Sequence, residues 1–398
     1  MKQPEMSAAA AREEQLQSIG REGKYLVSLL RASLRGEPPM PVPNGLDWER
    51  LYRLSRRQLV AAAVWRVLKK EEQCPPEAAA GSRAAADGAL RKELLFDGAR
   101  AEICAAFEAR HIDYMPLKGV IIKDFYPAKG MREFADNDIL YREKDRKAVD
   151  EAMRALGYKS EGLESVHDVY MKPPVYNFEM HRALFEGDVA FAGWFEQVWN
   201  RAILQEDGGH AWRMSDEDFY SYVIAHFAKH HENGGASLRS LADVYLMRQA
   251  LSLDETKLQD IFRAIGLETF EHEVSGIAES LFGEEPRPVG EETMLYILSG
   301  GAYGTAETAF RNAVRKEGKL RVALRLAFPS FARMKTSYPV LKKVPVLLPV
   351  MWVVRLFTVL FGKKRKKATV AFKNFLKKDQ TDGAGRTLAA PSPRDAAD

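Results

Sequence analysis

The chain has 398 residues, 46% of them apolar, which is enough to bury more than one core. Its two cysteines, Cys74 and Cys104, exclude a disulfide framework and a cysteine-based zinc motif, and suit a reducing cytoplasm. The formal net charge of only +4 hides a strongly uneven distribution along the chain.

Residues 1–17 are polar and carry no apolar signal core. A short amphipathic helix is predicted over 20–35, with Tyr25, Leu26, Leu29 and Leu30 on its apolar side, followed by a Pro-rich linker over 36–45. Asp47 and Trp48 open the next helix, which carries Leu51, Leu54, Leu59, Val60, Val64 and Leu68 at helical spacing. Residues 74–88 are rich in Pro, Ala and Gly and read as a loop. A long helix is predicted over 89–110, and its stripe of Leu90, Leu94, Ile103 and Phe107 reads as core rather than cofactor contact.

Residues 114–117 read as the first strand of a sheet. Lys118 and Gly119 then turn into a helix, whose N-terminus offers free N–H groups and a positive dipole end to a triphosphate. Arg132 can reach phosphate or pair with an acid. Asp136 and Asp138 stand at the mouth of a strand continued by Ile139, Leu140 and Tyr141. Residues two apart on a strand point to one side, so two carboxylates project together. Such a pair is costly without a cation, and Mg²⁺ prefers oxygen ligands from carboxylates and substrate phosphates. Asp-Asn-Asp is also ordinary composition for a solvated turn.

A helix over 143–156, closed by Gly157, precedes strands over 158–161, 168–171 and 175–181. In the last strand Tyr176, Phe178 and Met180 form an apolar face, and Val175, Asn177, Glu179 and His181 form the other. If it pairs beside the aspartate strand, Glu179 joins the two acids and can act on an attacking hydroxyl. The alternative is an exposed strand charge. The order of elements implies a small mixed sheet with helices on one face.

From Phe191 the composition turns helical. Ser215-Asp216-Glu217-Asp218 resembles a capping box. It opens a helix with His226 and His230 on one face, placed for packing, nucleotide contact or metal. Arg239 and Asp243, four apart, read as a helix pair. Helices continue over 254–325, with a break at 283–286.

Leu117-Lys118-Gly119, Arg132, Asp136-Asn137-Asp138-Ile139-Leu140, Gly157-Tyr158 and Glu179-Met180-His181 together resemble a family of uncharacterised nucleotidyltransferases, part of the polymerase-beta-like superfamily. The resemblance covers roughly residues 48–243 and continues weakly beyond. It implies an α+β fold: a small mixed-sheet nucleotidyltransferase core inside a mostly helical protein. It implies that Asp136, Asp138 and Glu179 are catalytic and hold Mg²⁺. It also implies that Lys118, Gly119, Arg132, His181, His226, His230 and Arg239 lie on the nucleotide, and that the later helices cover the base. The sequence departs from the superfamily at its Gly-Gly or Gly-Ser turn. Here the turn is Lys118-Gly119-Val120, so the hydroxyl is lost, and Lys118 would supply a point charge to phosphate instead. The gap from turn to acids is also longer than in the shortest forms.

The C-terminal part stands apart in charge. Residues 318–378 hold sixteen Lys or Arg and no acid, whereas residues 1–317 carry 41 basic against 51 acidic side chains. Within the basic segment, residues 344–361 are nearly all apolar, interrupted by Pro345, Pro349, Arg355 and Thr358, and a basic run at 363–367 follows. This stretch reads as an interfacial helix on an anionic leaflet, a helix docked on the acidic body, or a short span. The missing stacking aromatics count against nucleic acid as a partner.

The expected divisions are therefore a helical region at 1–88, the nucleotidyltransferase core at 89–190, and a helical bundle at 191–317. The basic segment at 318–378 and a disordered tail at 379–398 complete them. The expected activity is Mg²⁺-dependent transfer of a nucleotidyl group from ATP or another nucleoside triphosphate to an unknown hydroxyl or phosphate acceptor. The expected location is cytoplasmic, the interfacial alternative adding peripheral attachment at the inner face of the membrane through residues 344–367. Two rivals are a catalytically inactive scaffold recruited by the basic segment, and a metal hydrolase built on His226, His230 and His231.

Overall fold

The computed structural model describes residues 8–133, 136–163, 166–186, 189–205, 209–232, 234–301, 304, 306–331, 334 and 338–361. The basic run at 363–367 and the tail at 379–398 lie outside them.

Four helices lead into the sheet: α1 (Ala8–Arg35), α2 (Trp48–Arg57), α3 (Ala61–Leu68) and α4 (Pro76–Glu108). The Asp47 side chain caps α2 by accepting from the Arg50 N–H at 2.9 Å. The first helix is longer than expected. The expected loop at 74–88 is mostly helix, because Pro76 takes a first-turn position and the alanines that follow favour helix. Position 81 is glycine for a packing reason: a Cβ there would sit 2.8 Å from the Tyr52 ring. Helix α4 runs without a break through residue 88.

The five-stranded sheet comprises β1 (Tyr114–Pro116), β2 (Asn137–Tyr141), β3 (Lys159–Leu163), β4 (His167–Lys172) and β5 (Tyr176–His181). Its order is β1-β2-β5-β4-β3. Only the β2–β5 pairing is parallel, and the others are antiparallel. Between β1 and β2 lies α5 (Gly119–Ile122), and α6 (Arg146–Ala155) links β2 to β3. Gly157, at φ +84°, closes α6 as read.

Strand alternation sorts the side chains into two cores. Ile139, Tyr141, Phe178 and Met180 face α4 and α6, joining Phe96, Ile103, Phe107, Val149 and Met153. Leu140 faces the opposite way. It joins the larger core shared by α1 to α3 and the later helices. The mixed sheet inside a mostly helical protein makes this an α+β fold, as expected.

Beyond the sheet come α7 (Ala192–Glu196), α8 (Val198–Arg201) and an unforeseen ribbon of β6 (Ile203–Leu204) and β7 (Trp212–Arg213). Helices α9 (Asp216–Glu232), α10 (Leu238–Ala250), α11 (Glu255–Ala264), α12 (Glu268–Phe282) and α13 (Glu291–Gly300) follow. The Ser215 hydroxyl accepts from the Asp218 N–H at 3.1 Å, as a capping box requires. The Asp218 carboxylate turns instead to Arg201, so the box is half made. The helical break read at 283–286 lies between α12 and α13.

Candidate functional site

Parallel pairing of β2 with β5 sets Asp138 directly opposite Glu179. Asp136 stands one residue before β2. Oxygens of Asp136, Asp138 and Glu179 lie within 4.8 Å of one another. The three acids expected together are therefore neighbours, and Glu179 turns toward the aspartates. Asp138 is buried, whereas Asp136 and Glu179 are part-exposed toward solvent.

The electrostatics follow from this crowding. Burial, reinforced by the charges of Asp138 and Glu179, raises Asp136 to a pKa of about 6. Burial also opposes the Asp138 charge, but the Lys118 ammonium and the His181 imidazole overcome it and hold Asp138 far below the usual carboxylate range. Both donate to one oxygen: Lys118 Nζ lies 3.1 Å and His181 Nε2 2.7 Å from Asp138 Oδ1. Burial would lower His181, yet the bonds to Asp138 and Glu179 raise it. An all-oxygen set at this spacing, with one acid raised by burial and by its neighbours, fits a hard divalent ion such as Mg²⁺.

The turn before the acids is strained at an unexpected residue. Lys118, not Gly119, has the positive φ, at +50° with ψ −117°. That backbone region favours glycine, and holding lysine there costs about 1–3 kcal/mol. Gly119 is needed for a different reason. A Cβ on it would come 2.5 Å from Arg132 Nη1. The helix after the turn is a single turn of four residues.

Arg132 has an acid as its partner. Its Nε and Nη2 donate to the two oxygens of Asp243 at 2.9 and 2.8 Å, and the Tyr126 hydroxyl adds a bond at 2.8 Å. Asp243 points back to the turn, and Arg239 donates to the Glu133 carbonyl at 3.1 Å. The Arg239 charge still acts on Asp136.

Tyr222, His226 and His230 recur every four residues and form one stripe on α9 beside Lys118. Burial and the Lys118 charge keep His226 well below its ordinary pKa and bring His230 to about 4. Both imidazoles are therefore neutral. The His226 and His230 rings meet edge to face, 4.5 Å apart. His231 points elsewhere, between Phe270 and Tyr296. The metal-hydrolase trio therefore does not assemble.

Three nearby residues escaped the sequence reading. Tyr222 is buried and reaches the Lys118 charge; its place four residues before His226 was the available signal. Lys92 on α4 lies in the field of Asp136, with nothing in the sequence to mark it. His167 sits opposite His181 across β4 and β5. Its Nε2 is 3.7 Å from Glu179 Oε2.

The family described as "Uncharacterised nucleotidyltransferase" matches residues 44–283, more than half of the chain. No curated protein matches. Among solved structures, the antibiotic-resistance factor ANT(2'')-Ia in solution is similar at 14% identity, with a TM-score of 0.31. That match covers 44% of this chain and 95% of the other. The crystal structure of ANT(2'')-Ia in complex with adenylyl-2''-tobramycin is similar at 15% identity, with a TM-score of 0.33. It covers 42% of this chain and 95% of the other.

Proposed function

We propose, for a chain that belongs to the uncharacterised nucleotidyltransferase family, that it moves a nucleotidyl group from a nucleoside triphosphate to a hydroxyl or phosphate acceptor. Asp136 and Asp138 would hold Mg²⁺. Bound there, the ion would neutralise phosphate charge and polarise the reacting phosphoryl group. Glu179 would take the proton from the acceptor hydroxyl as it attacks the α-phosphorus, while pyrophosphate leaves. Lys118 would exchange its bond to Asp138 for one to phosphate. Gly119 would keep the turn close to the Arg132–Asp243 pair, and the neutral His226 and His230 would line the nucleotide side, with Arg239 near the phosphates. His181 would fix the orientation of Asp138. ATP is the first nucleotide to try.

The observation that carries this reading is the convergence of Asp136, Asp138 and Glu179 within 4.8 Å. Calorimetric titration of Mg-ATP tests it on the wild type and on Asp138→Asn. The reading expects magnesium-dependent binding that the substitution removes. Unchanged binding, or none in either protein, favours the scaffold. One observation speaks for that scaffold: the Asp138 charge is already matched by Lys118 and His181.

The same reading puts the protein in the cytoplasm and its basic segment on an anionic leaflet. Among the described residues no helix is long and apolar enough to cross a membrane. The helix Leu348–Phe361 folds back, with Trp352 Nε1 donating to the Pro329 carbonyl at 2.9 Å. Val346, Val350 and Val353 nevertheless remain exposed, within a sequence stretch, 318–378, that has sixteen basic residues and no acid. Exposed apolar side chains in a basic sequence stretch suit an acidic lipid surface. A membrane-linked sugar or lipid intermediate would then be within reach as acceptor.

A further inference from the structure

Two groups of potential metal ligands occur among the described residues, and they share Glu179. One is the all-oxygen set of Asp136, Asp138 and Glu179. The other is His167, Glu179 and His181, a two-nitrogen, one-carboxylate set. We propose that this second group is a separate site for a transition-metal ion of the zinc, cobalt or manganese class, set beside the magnesium site and joined to it through Glu179.

Antiparallel pairing puts His167 opposite His181, and Glu179 is two residues from His181 on the same face. The donors are fixed by the sheet rather than by a loop. Glu179 Oε2 is 3.7 Å from His167 Nε2 and 3.5 Å from His181 Nε2. These separations exceed the usual hydrogen-bond range of about 2.7–3.2 Å. They approach the edge of a coordination tetrahedron, which is about 3.4 Å when metal–ligand bonds are about 2.1 Å. The two imidazoles lie near one another, with ring centroids 5.0 Å apart and planes inclined by 31°. The third donor–donor separation stays within 4.8 Å.

Donor chemistry then separates the two sites. Imidazole nitrogens suit zinc, cobalt and similar ions, whereas magnesium takes oxygen. Two histidines and a carboxylate leave the fourth position open for water or substrate. Occupancy would also change Asp138. His181 Nε2 now donates its proton to Asp138 Oδ1, and it cannot do so while it binds a metal. Loading the nitrogen site therefore breaks that hydrogen bond and frees the oxygen for magnesium. Such coupling is reciprocal: magnesium on Asp138 favours the second ion in turn. The other histidine pairs offer no comparable set among the described residues.

The site is independent of whether the chain transfers nucleotides, and metal alone tests it. Cobalt(II) is titrated into chelator-treated full-length protein without nucleotide or magnesium, and visible absorption is recorded. The wild type is expected to show one mixed nitrogen–oxygen site, displaced stoichiometrically by zinc. His167→Ala is expected to weaken it at least tenfold, and His226→Ala and Asp136→Asn to leave it within twofold. Mg-ATP binding, measured on the same proteins, is expected to fail in Asp136→Asn and persist in His167→Ala, so the two readings fail separately. A wild type without cobalt bands, or equal affinity in His167→Ala, overturns the site. Loss in Asp136→Asn as large as in His167→Ala places the ion among the oxygens and also overturns it.

Discussion

Lys118 Nζ lies 3.1 Å from Asp138 Oδ1, so a lysine already stands where an acid is expected to meet its metal. The same lysine has two expected uses, as a counter-ion to Asp138 and as a phosphate contact. Lys118→Ala separates them. Affinity for Mg-ATP is expected to fall about tenfold or more, the scale of one charge-assisted contact. Affinity for Mg²⁺ alone is expected to rise, because a competing cation is gone. Calorimetry with each ligand reads both signs.

The Arg132–Asp243 pair ties the turn to α10 from within the core. Both side chains are buried, and removing one leaves an uncompensated charge. Arg132→Met is expected to cost about 3–5 kcal/mol in denaturant unfolding. Replacing both partners by apolar residues of similar size is expected to cost less than the sum of the single changes. Gly119→Ala is expected to destabilise in the same direction, because its Cβ would come 2.5 Å from the Arg132 guanidinium.

Asp136 gives the pH dependence. Its folded pKa of about 6 stands above its ordinary value, so the folded state holds this proton more tightly than the unfolded chain. Its ionisation therefore costs stability. The penalty is absent below the ordinary carboxylate value, grows as pH rises toward 6, and is complete above it. Without metal, Asp136→Asn is expected to be more stable than wild type at pH 7.5, with the gap closing near pH 4. For the wild type, magnesium affinity is expected to fall as pH drops below about 6. Thermal melts across pH and magnesium titrations check the two signs.

The exposed valines of the C-terminal segment predict selective membrane binding. The full chain is expected to sediment with vesicles containing phosphatidylserine and not with neutral ones, and to release at high salt. Val350→Asp with Val353→Asp is expected to weaken the interaction at least fivefold, since both side chains are more than half exposed. Equal sedimentation with neutral vesicles would contradict the electrostatic part.

Local patterning carried much of the fold to the surface of the sequence. Alternation along 175–181 gave both faces of β5, and Ser215 and Gly157 marked helix ends that the structure contains. Asp136 and Asp138 were legible because their spacing is a strand spacing. Their meeting with Glu179 depended on parallel pairing, which no local signal specifies. The start of α4 is hard to read because Pro and Gly usually break helices, whereas here a first-turn proline and a run of alanines favour helix. Arg132–Asp243 joins residues 111 apart, and His167 acquires its neighbours only when β4 pairs with β5. Such relationships are tertiary, and no periodicity announces them.

Manganese anomalous scattering, from crystals grown with Mn²⁺ and a non-hydrolysable ATP analogue, locates the ion itself. The expected result is a peak bonded to Asp136 and Asp138 at about 2.2 Å, beside the analogue's phosphates and within reach of Glu179. A peak remote from both aspartates, or a nucleotide bound with no ion between its phosphates and these acids, would contradict the account.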